Sequence, residues 1–266
     1  MISVVHVDAF ASKPFTGNPA AVCLLREERS ATWMAALGKE FNLPATAFVT
    51  PRPDGHGFGL RWFTATNELE LCGHGTLASA HALWDTGALP KGEAARFHTQ
   101  GGILTATQRD GWIEMDFPAV KEEPETPPAG ALDGLRLGAS PRYVGRSNLD
   151  YLVEVENEAA VRALKPDFAR LATVPVRGFM VTSRADADGD DFVSRFFCPA
   201  RGIDEDSVTG SAHCCLATFW GRRLSKQTFN ARQLSTRGGV LKVTLDGNRV
   251  RLAGQALTIS RGELFV

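Results

Sequence analysis

Arg61-Trp62-Phe63-Thr64-Ala65-Thr66-Asn67-Glu68-Leu69-Glu70-Leu71-Cys72-Gly73-His74-Gly75 is the stretch on which the fold reading turns. It passes from an arginine-led aromatic strand through an acidic stretch to a glycine. From Gly73 the residues become helical, through Ala78, His81 and Trp84, to a stop at Gly87. The same order returns in the second half. Arg195-Phe196-Phe197-Cys198 leads through an acidic stretch to Thr209-Gly210-Ser211-Ala212-His213, and a small-residue helix reaches Trp220. Aromatic strand, acidic loop, glycine and helix, twice in one order, predict an internal duplication into two related α+β domains.

Outward from these stretches the chain reads as alternating strands with few helices. Period-two runs predict strands over 3–10, 20–25, 47–50 and 59–63, and a serine-capped helix over 30–41. A meander follows over 96–98, 103–106 and 112–117, with a turn at Arg109-Asp110-Gly111. Residues 119–134 are rich in proline and glutamate and lack aromatics, which predicts a linker between domains over 1–118 and 135–255. Beyond it come strands at 151–155, 175–182 and 192–197 and a helix over 210–223. Closing strands run from 231 to 266, with turns at Gly238-Gly239 and Asp246-Gly247-Asn248.

Composition narrows the function classes. Lys+Arg (29) and Asp+Glu (30) nearly cancel, which argues against nucleic acid or an anionic membrane as the main partner. No apolar run approaches a membrane span, and residues 1–8 lack the basic flank and apolar core of a signal peptide. Five cysteines, an odd number, suit a reducing cytoplasm better than a disulfide framework.

Each repeat places glycine and a small polar residue where a helix begins. A helix N-terminus offers free N–H groups and a positive dipole end, and glycine lets an anion approach them. His74 and Ser211 fall in the first turns, with Asp206 just ahead of the second. Ordinary capping is the default reading of such starts. His81 and His213 lie among Ala, Cys and Leu and read as core or helix-surface residues. Cys72-x-His74 has no second pair at zinc spacing, and Cys214-Cys215 point apart on a helix, so no metal site is expected. Arg61 and Arg195 are expected to pair with the acidic stretches that follow them, at little energetic gain if exposed.

At these residues the chain resembles the PhzF-like phenazine-biosynthesis isomerase family. The resemblance runs through Val7-Asp8-Ala9-Phe10, Pro14-Phe15-Thr16-Gly17-Asn18-Pro19, Thr46-Ala47-Phe48-Val49, Arg61-Trp62-Phe63-Thr64 and Glu70-Leu71-Cys72-Gly73-His74. In the second half it continues through Ser194-Arg195-Phe196-Phe197, Gly202-Ile203-Asp204-Glu205-Asp206 and Val208-Thr209-Gly210-Ser211-Ala212-His213. It implies a diaminopimelate-epimerase-like fold: two similar domains, each a strand barrel around a central helix, with the active site in the cleft between them. The last strand, 256–266, is expected to return to the first domain. The resemblance further implies a homodimer that uses no metal or organic cofactor. The family's best-known activity shifts a proton and a double bond within a dihydro-hydroxyanthranilate ring.

Carried over by position, His74, Asp206 and Ser211 match active-site residues of the family. Gly73, Gly75, Gly210, Asn18 and Cys72 are expected to line the substrate. The departure is at Leu43-Pro44-Ala45-Thr46, where the family pattern is Leu-Ser-Glu-Thr and its glutamate carries the proton. Ala45 cannot take or give a proton, and general acid–base assistance is worth about 10²–10⁴-fold. Three readings follow: an isomerase acting on a small cyclic or amino carboxylate with its proton carrier moved, a racemase using Cys72, or a non-catalytic carboxylate-binding protein.

Overall fold

The computed structural model describes residues 1–186 and 189–266. The chain forms two compact units, Met1–Asp116 with Ala253–Val266, and Phe117–Leu252.

The first unit begins with β1 (Ile2–Ala9), β2 (Asn18–Leu24), α1 (Ala31–Phe41), β3 (Ala45–Pro51), β4 (Phe58–Phe63) and β5 (Glu68–Leu69). It continues with α2 (Gly73–Thr86), β6 (Ala95–Thr99), β7 (Gly102–Arg109) and β8 (Trp112–Pro118). The ends of both helices follow from local chemistry. Ser30 Oγ accepts the Trp33 N–H at the start of α1, and Gly87 closes α2 in a left-handed conformation (φ 75°) that a side chain would strain. Strand β1 pairs antiparallel with β2, β2 parallel with β3, β3 antiparallel with β4, β4 parallel with β6, and β6 antiparallel with β7.

Side-chain alternation divides this sheet into two faces. Cys23, Leu25, Phe48 and Phe63 pack against Met34 and Leu37 of α1. The opposite face, with Ala20, Val22, Ala45, Ala47 and Trp62, closes on α2. Helix α2 lies against β1, β2, β3 and β7, and its residues from His74 to Ala80 are all buried. A helix with no wet face is the axis of its unit. The strand Ala256–Leu264 completes the unit by pairing antiparallel with β1. Thr258 Oγ1 donates to Asp85 at 2.5 Å, and the same oxygen lies 3.0 Å from His81 Nε2, so the last strand is tied to α2.

The second unit repeats this plan. It contains β9 (Glu123–Pro124), α3 (Ala131–Leu135), β10 (Tyr143–Arg146), β11 (Asp150–Glu154), α4 (Glu158–Ala163), α5 (Phe168–Leu171), β12 (Gly178–Arg184), β13 (Phe192–Cys198), β14 (Ile203–Asp206), α6 (Gly210–Leu224), β15 (Thr228–Gln233), β16 (Gly239–Asp246) and β17 (Arg249–Gly254); the C-terminal strand of the first unit is β18. Pairing is antiparallel for β10–β11, parallel for β11–β12, antiparallel for β12–β13, parallel for β13–β15 and antiparallel for β15–β16. Strand for strand this is the order and sense of the first unit. The outer face packs Tyr151, Val153, Phe179, Val181 and Phe197 on the short helices, and the inner face closes on α6.

The Pro- and Glu-rich segment expected as a linker is folded into the second unit. The Ala119 N–H donates to Asn248 O at 2.8 Å, β9 pairs with β10, and Ala131 and Leu135 are buried in the core. Its polar composition misleads because Glu122, 3% exposed, is neutralised by Arg222. Four strands outside the expectations, β5, β9, β10 and β14, are short and lie in polar sequence, and the short helices α3, α4 and α5 lie outside the expectations as well.

Candidate active site

Parallel and antiparallel register brings several expected residues to one end of the first unit. Asn18 opens β2, Ala45 opens β3 opposite Ala20, Trp62 lies near the end of β4, and α2 starts at Gly73. Asn18 and Ala45 are fully buried. Cys72 stands at the N-cap of α2 without a side-chain cap bond, and its Sγ lies 3.5 Å from His74 Nδ1. Both side chains are buried, Cys72 at 5% and His74 at 8% exposure. Thr76 Oγ1 and its N–H both donate to the Cys72 carbonyl, at 2.7 and 3.0 Å, so the backbone of this turn is fixed.

Gly75 is there for a steric reason. A Cβ on it would stand 2.7 Å from Trp62 Cδ1 and 2.9 Å from Cys72 Sγ. The indole and the thiol therefore converge on the bare helix surface. The Trp62 Nε1–H is buried and has no hydrogen-bond partner among the described residues.

The start of α6 is built from the same parts with different chemistry. Thr209 takes the N-cap place that Cys72 has in α2, and His213 Nδ1 donates to the Thr209 carbonyl at 2.8 Å, as Thr76 does to that of Cys72. The Thr209 hydroxyl donates to Asp206 Oδ2 at 2.6 Å, and Gln233 Oε1 accepts the Thr209 N–H at 2.9 Å. Gln233 Nε2 also donates to the Asp206 carbonyl at 2.7 Å, locking the corner between β14 and α6. Gly210 is buried, while Ser211 and Asp206 are half-buried. Ser211 Oγ accepts a hydrogen bond from Arg177 Nη2 at 3.1 Å, and Arg177 is in turn paired with the buried Asp150.

Burial pushes the Cys23 thiol up to about 12 and those of Cys198 and Cys215 well above the ordinary range, so all three are poor nucleophiles. His213 is wholly buried and held neutral, its pKa lowered by desolvation to about 4. His81 contacts Thr258 and Asp85, a structural network. A groove of about 720 Å³ in the first unit, lined by Arg26, Arg52, Arg61 and His98, contains none of the expected site residues. Arg61 and Arg52 are already matched there, by Glu68 and Asp54.

The sequence profile described as phenazine biosynthesis-like protein (PhzC-PhzF) matches residues 7–262. The chain belongs to the PhzC/PhzF family. An uncharacterized isomerase of Halalkalibacterium halodurans is 48% identical over 98% of this chain and 97% of its own length. A PhzF-family crystal structure from Enterococcus faecalis is 35% identical, covers 100% of this chain and 99% of its own, and superposes with a TM-score of 0.92. A probable proline racemase of Agrobacterium radiobacter, 12% identical, covers 99% of this chain and 93% of its own with a TM-score of 0.67, a likeness of fold alone. The PhzF-like fold thus joins this chain to the racemase and epimerase architecture, and bacterial relatives 43–48% identical to it carry the name isomerase.

Sequence reasoning missed Trp62, Arg177, Asp150 and Gln233 as parts of these helix starts. For Trp62 the signal was present, because its place before the Cys-Gly-His-Gly turn is matched by Phe196 before Thr-Gly-Ser. Asp150 and Arg177 are joined only by the parallel pairing of β11 and β12, in which Asp150 faces Gly178.

Proposed function

We propose that the chain is a cofactor-independent isomerase that moves a proton within a small cyclic or amino carboxylate, with Cys72 and His74 carrying the proton in place of a glutamate at position 45. The observation that supports this is the 3.5 Å approach of Cys72 Sγ to His74 Nδ1 on the first turn of α2. A thiol and an imidazole at that distance can exchange a proton, and a helix N-terminus favours the thiolate. Ala45 shares the inner face of β3 with Ala47, beside Trp62, and brings no base there.

The chemistry needs no net oxidation. A C–H bond activated by the substrate's unsaturation breaks, its electron pair enters the π-system, and the proton passes to sulfur or nitrogen. The same group then returns a proton to a different carbon. Ser211 and the free N–H groups at the start of α6 hold the carboxylate, and Asp206 accepts from a hydroxyl or amino substituent. Gly73 leaves the first turn of α2 open to close approach, and Gly210 does the same for the first turn of α6. A two-thiol racemase is disfavoured by Thr209, which stands where a second cysteine would be and whose hydroxyl is bonded to Asp206.

Proton exchange and isomerisation of dihydro-hydroxyanthranilate, followed by NMR in D₂O, test the proposal. The chain is expected to incorporate deuterium, and Cys72→Ser and His74→Gln each to slow it by about 10²–10⁴-fold. Turnover by Ala45→Glu alone, with the unaltered chain inert, overturns the assignment of the proton carrier. Ligand binding without exchange by any variant overturns catalysis on this substrate class and leaves a carboxylate-binding protein.

A further inference from the structure

We propose that Arg177, clamped by Asp150, is a positioning residue that turns the Ser211 hydroxyl into an obligatory hydrogen-bond donor for a substrate carboxylate. This rests on the reading of the α6 start as the carboxylate holder.

Valence fixes the direction of the Ser211 hydroxyl. A serine hydroxyl has one hydrogen to give and lone pairs to receive, whereas a guanidinium can only give. Arg177 Nη2 donates to Ser211 Oγ at 3.1 Å. One lone pair of the serine is therefore occupied, and its hydrogen must be directed away from Arg177. Among the described residues nothing accepts that hydrogen. The other hydroxyls in the central helices behave differently. Thr76, Ser79 and Thr86 donate to the carbonyls of Cys72, Gly75 and Ala82, each at 2.7 Å, which uses up their hydrogens inside the helix. Ser211 makes no such bond.

The guanidinium is held rigidly enough to impose this direction. Its Nε donates to Asp150 Oδ1 at 2.8 Å, and Nη2 donates to the other oxygen of the same carboxylate. The Asp150 side chain is only 3% exposed, so the fork is anchored in the unit's interior. The guanidinium carbon lies 5.5 Å from the centre of the Phe196 ring, which covers one face. The next residue, Gly178, cannot carry a side chain, since a Cβ there would stand 2.5 Å from Phe196 Cζ. Backbone, ring and carboxylate together leave Arg177 little freedom.

The pairing also sets the charge. Asp150 neutralises Arg177, so the pair adds an oriented donor without adding a net positive charge. Selectivity for an anion then rests on the Ser211 O–H and the free N–H groups of the first helical turn, both of which need an acceptor. A ligand group that both gives and accepts, such as a primary amide, satisfies them less well than a carboxylate.

The test uses benzoate and benzamide as probes, titrated into ¹⁵N-labelled protein with the Ser211 and Ala212 amide signals followed. Benzoate is expected to shift these signals and bind more tightly than benzamide. Arg177→Gln should weaken benzoate by about tenfold, Ser211→Ala by a similar factor, and the two together by no more than either alone, because they act through one bond. Arg177→Gln leaves a buried carboxylate unpaired and risks unfolding. Asp150→Asn with Arg177→Gln removes that charge and should keep the fold with the same weakened binding. Benzoate binding at Ser211 that is unaffected in the folded double variant overturns the positioning role while the carboxylate reading stands. No shift at Ser211 or Ala212 in the unaltered chain overturns the carboxylate reading, and the positioning role with it.

Discussion

Arg195 grips Glu205 through two parallel hydrogen bonds, Nε to Oε1 at 2.7 Å and Nη2 to Oε2 at 2.8 Å. Arg61 grips Glu68 in the same way in the first unit, at 2.7 and 2.9 Å. In each case the arginine reaches across to the short strand that follows and lies over the phenylalanine two residues on, Phe197 or Phe63. The pairs close the hairpins that lead into α6 and α2. They are equivalent in place but unequal in burial, 12% and 15% exposed for Arg195 and Glu205 against 22% and 25% for Arg61 and Glu68.

That inequality predicts an order. Glu205→Gln should destabilise the protein by about 2 kcal/mol, because a shielded guanidinium loses its charged partner. Glu68→Gln should cost about 1 kcal/mol or less, since water reaches that pair more readily. Urea unfolding of both variants checks this, and an equal or reversed order would refute the role given to burial.

His213 predicts a pH dependence of stability. Its native pKa is lowered to about 4, whereas an unfolded histidine titrates near 6.5. Between these values the unfolded chain binds the extra proton, so stability is complete above about pH 6.5 and falls as pH drops toward 4. The loss attributable to this one group is about 3 kcal/mol. His213→Thr, which reproduces the bonding of Thr76 to its own N-cap carbonyl, should flatten that part of the stability curve. A curve of unchanged slope would assign the acid sensitivity to other groups.

Gly75 and Gly87 offer a contrast between steric and conformational constraint. Gly75→Ala drives a methyl group into Trp62 and Cys72 and should cost about 1–3 kcal/mol, with a change in the tryptophan fluorescence. Gly87→Ala meets no atom within 4 Å and should cost about 1 kcal/mol through its positive φ alone, with the fluorescence unchanged. Identical spectra for the two variants would show that the first turn of α2 has room to spare.

Ala45→Glu places a carboxyl on a wholly buried position. Desolvation should raise its pKa above the ordinary 4.3, so the variant's deficit is smallest below that pH and grows as the pH rises. A deficit larger by about 1–3 kcal/mol at pH 8 than at pH 4.5 is expected. A deficit independent of pH would mean that the new carboxylate reaches water or a donor at the end of the unit.

Much of the local structure was legible because it depends on neighbours in sequence. Ser30 ahead of an apolar periodicity, and Gly87 after one, mark helix ends at which the structure shows a serine cap and a left-handed glycine. The Asp110-Gly111 turn is equally local, both residues having positive φ. Strand β14 was hidden because Ile203-Asp204-Glu205-Asp206 reads as a solvated acidic loop. It is a strand because Arg195 on the adjoining β13 neutralises Glu205. The segment 119–134 misled in the same way, its glutamate buried beneath an arginine about 100 residues further along.

The sequence by itself determined the types of the longer elements, the repeated order of strand, acidic stretch, glycine and helix, and the family. These depend on periodicity, caps and turn residues, which act over a few positions. Only the tertiary structure decided which side chains meet. It set Cys72 against His74, brought Trp62 onto Gly75, and joined Asp150 to Arg177 and Ser211. The physical reason is that such contacts are fixed by strand register and by how each sheet wraps its helix. A one-residue shift in β11 against β12 would turn Asp150 to the opposite face and leave Arg177 and Ser211 without their anchor.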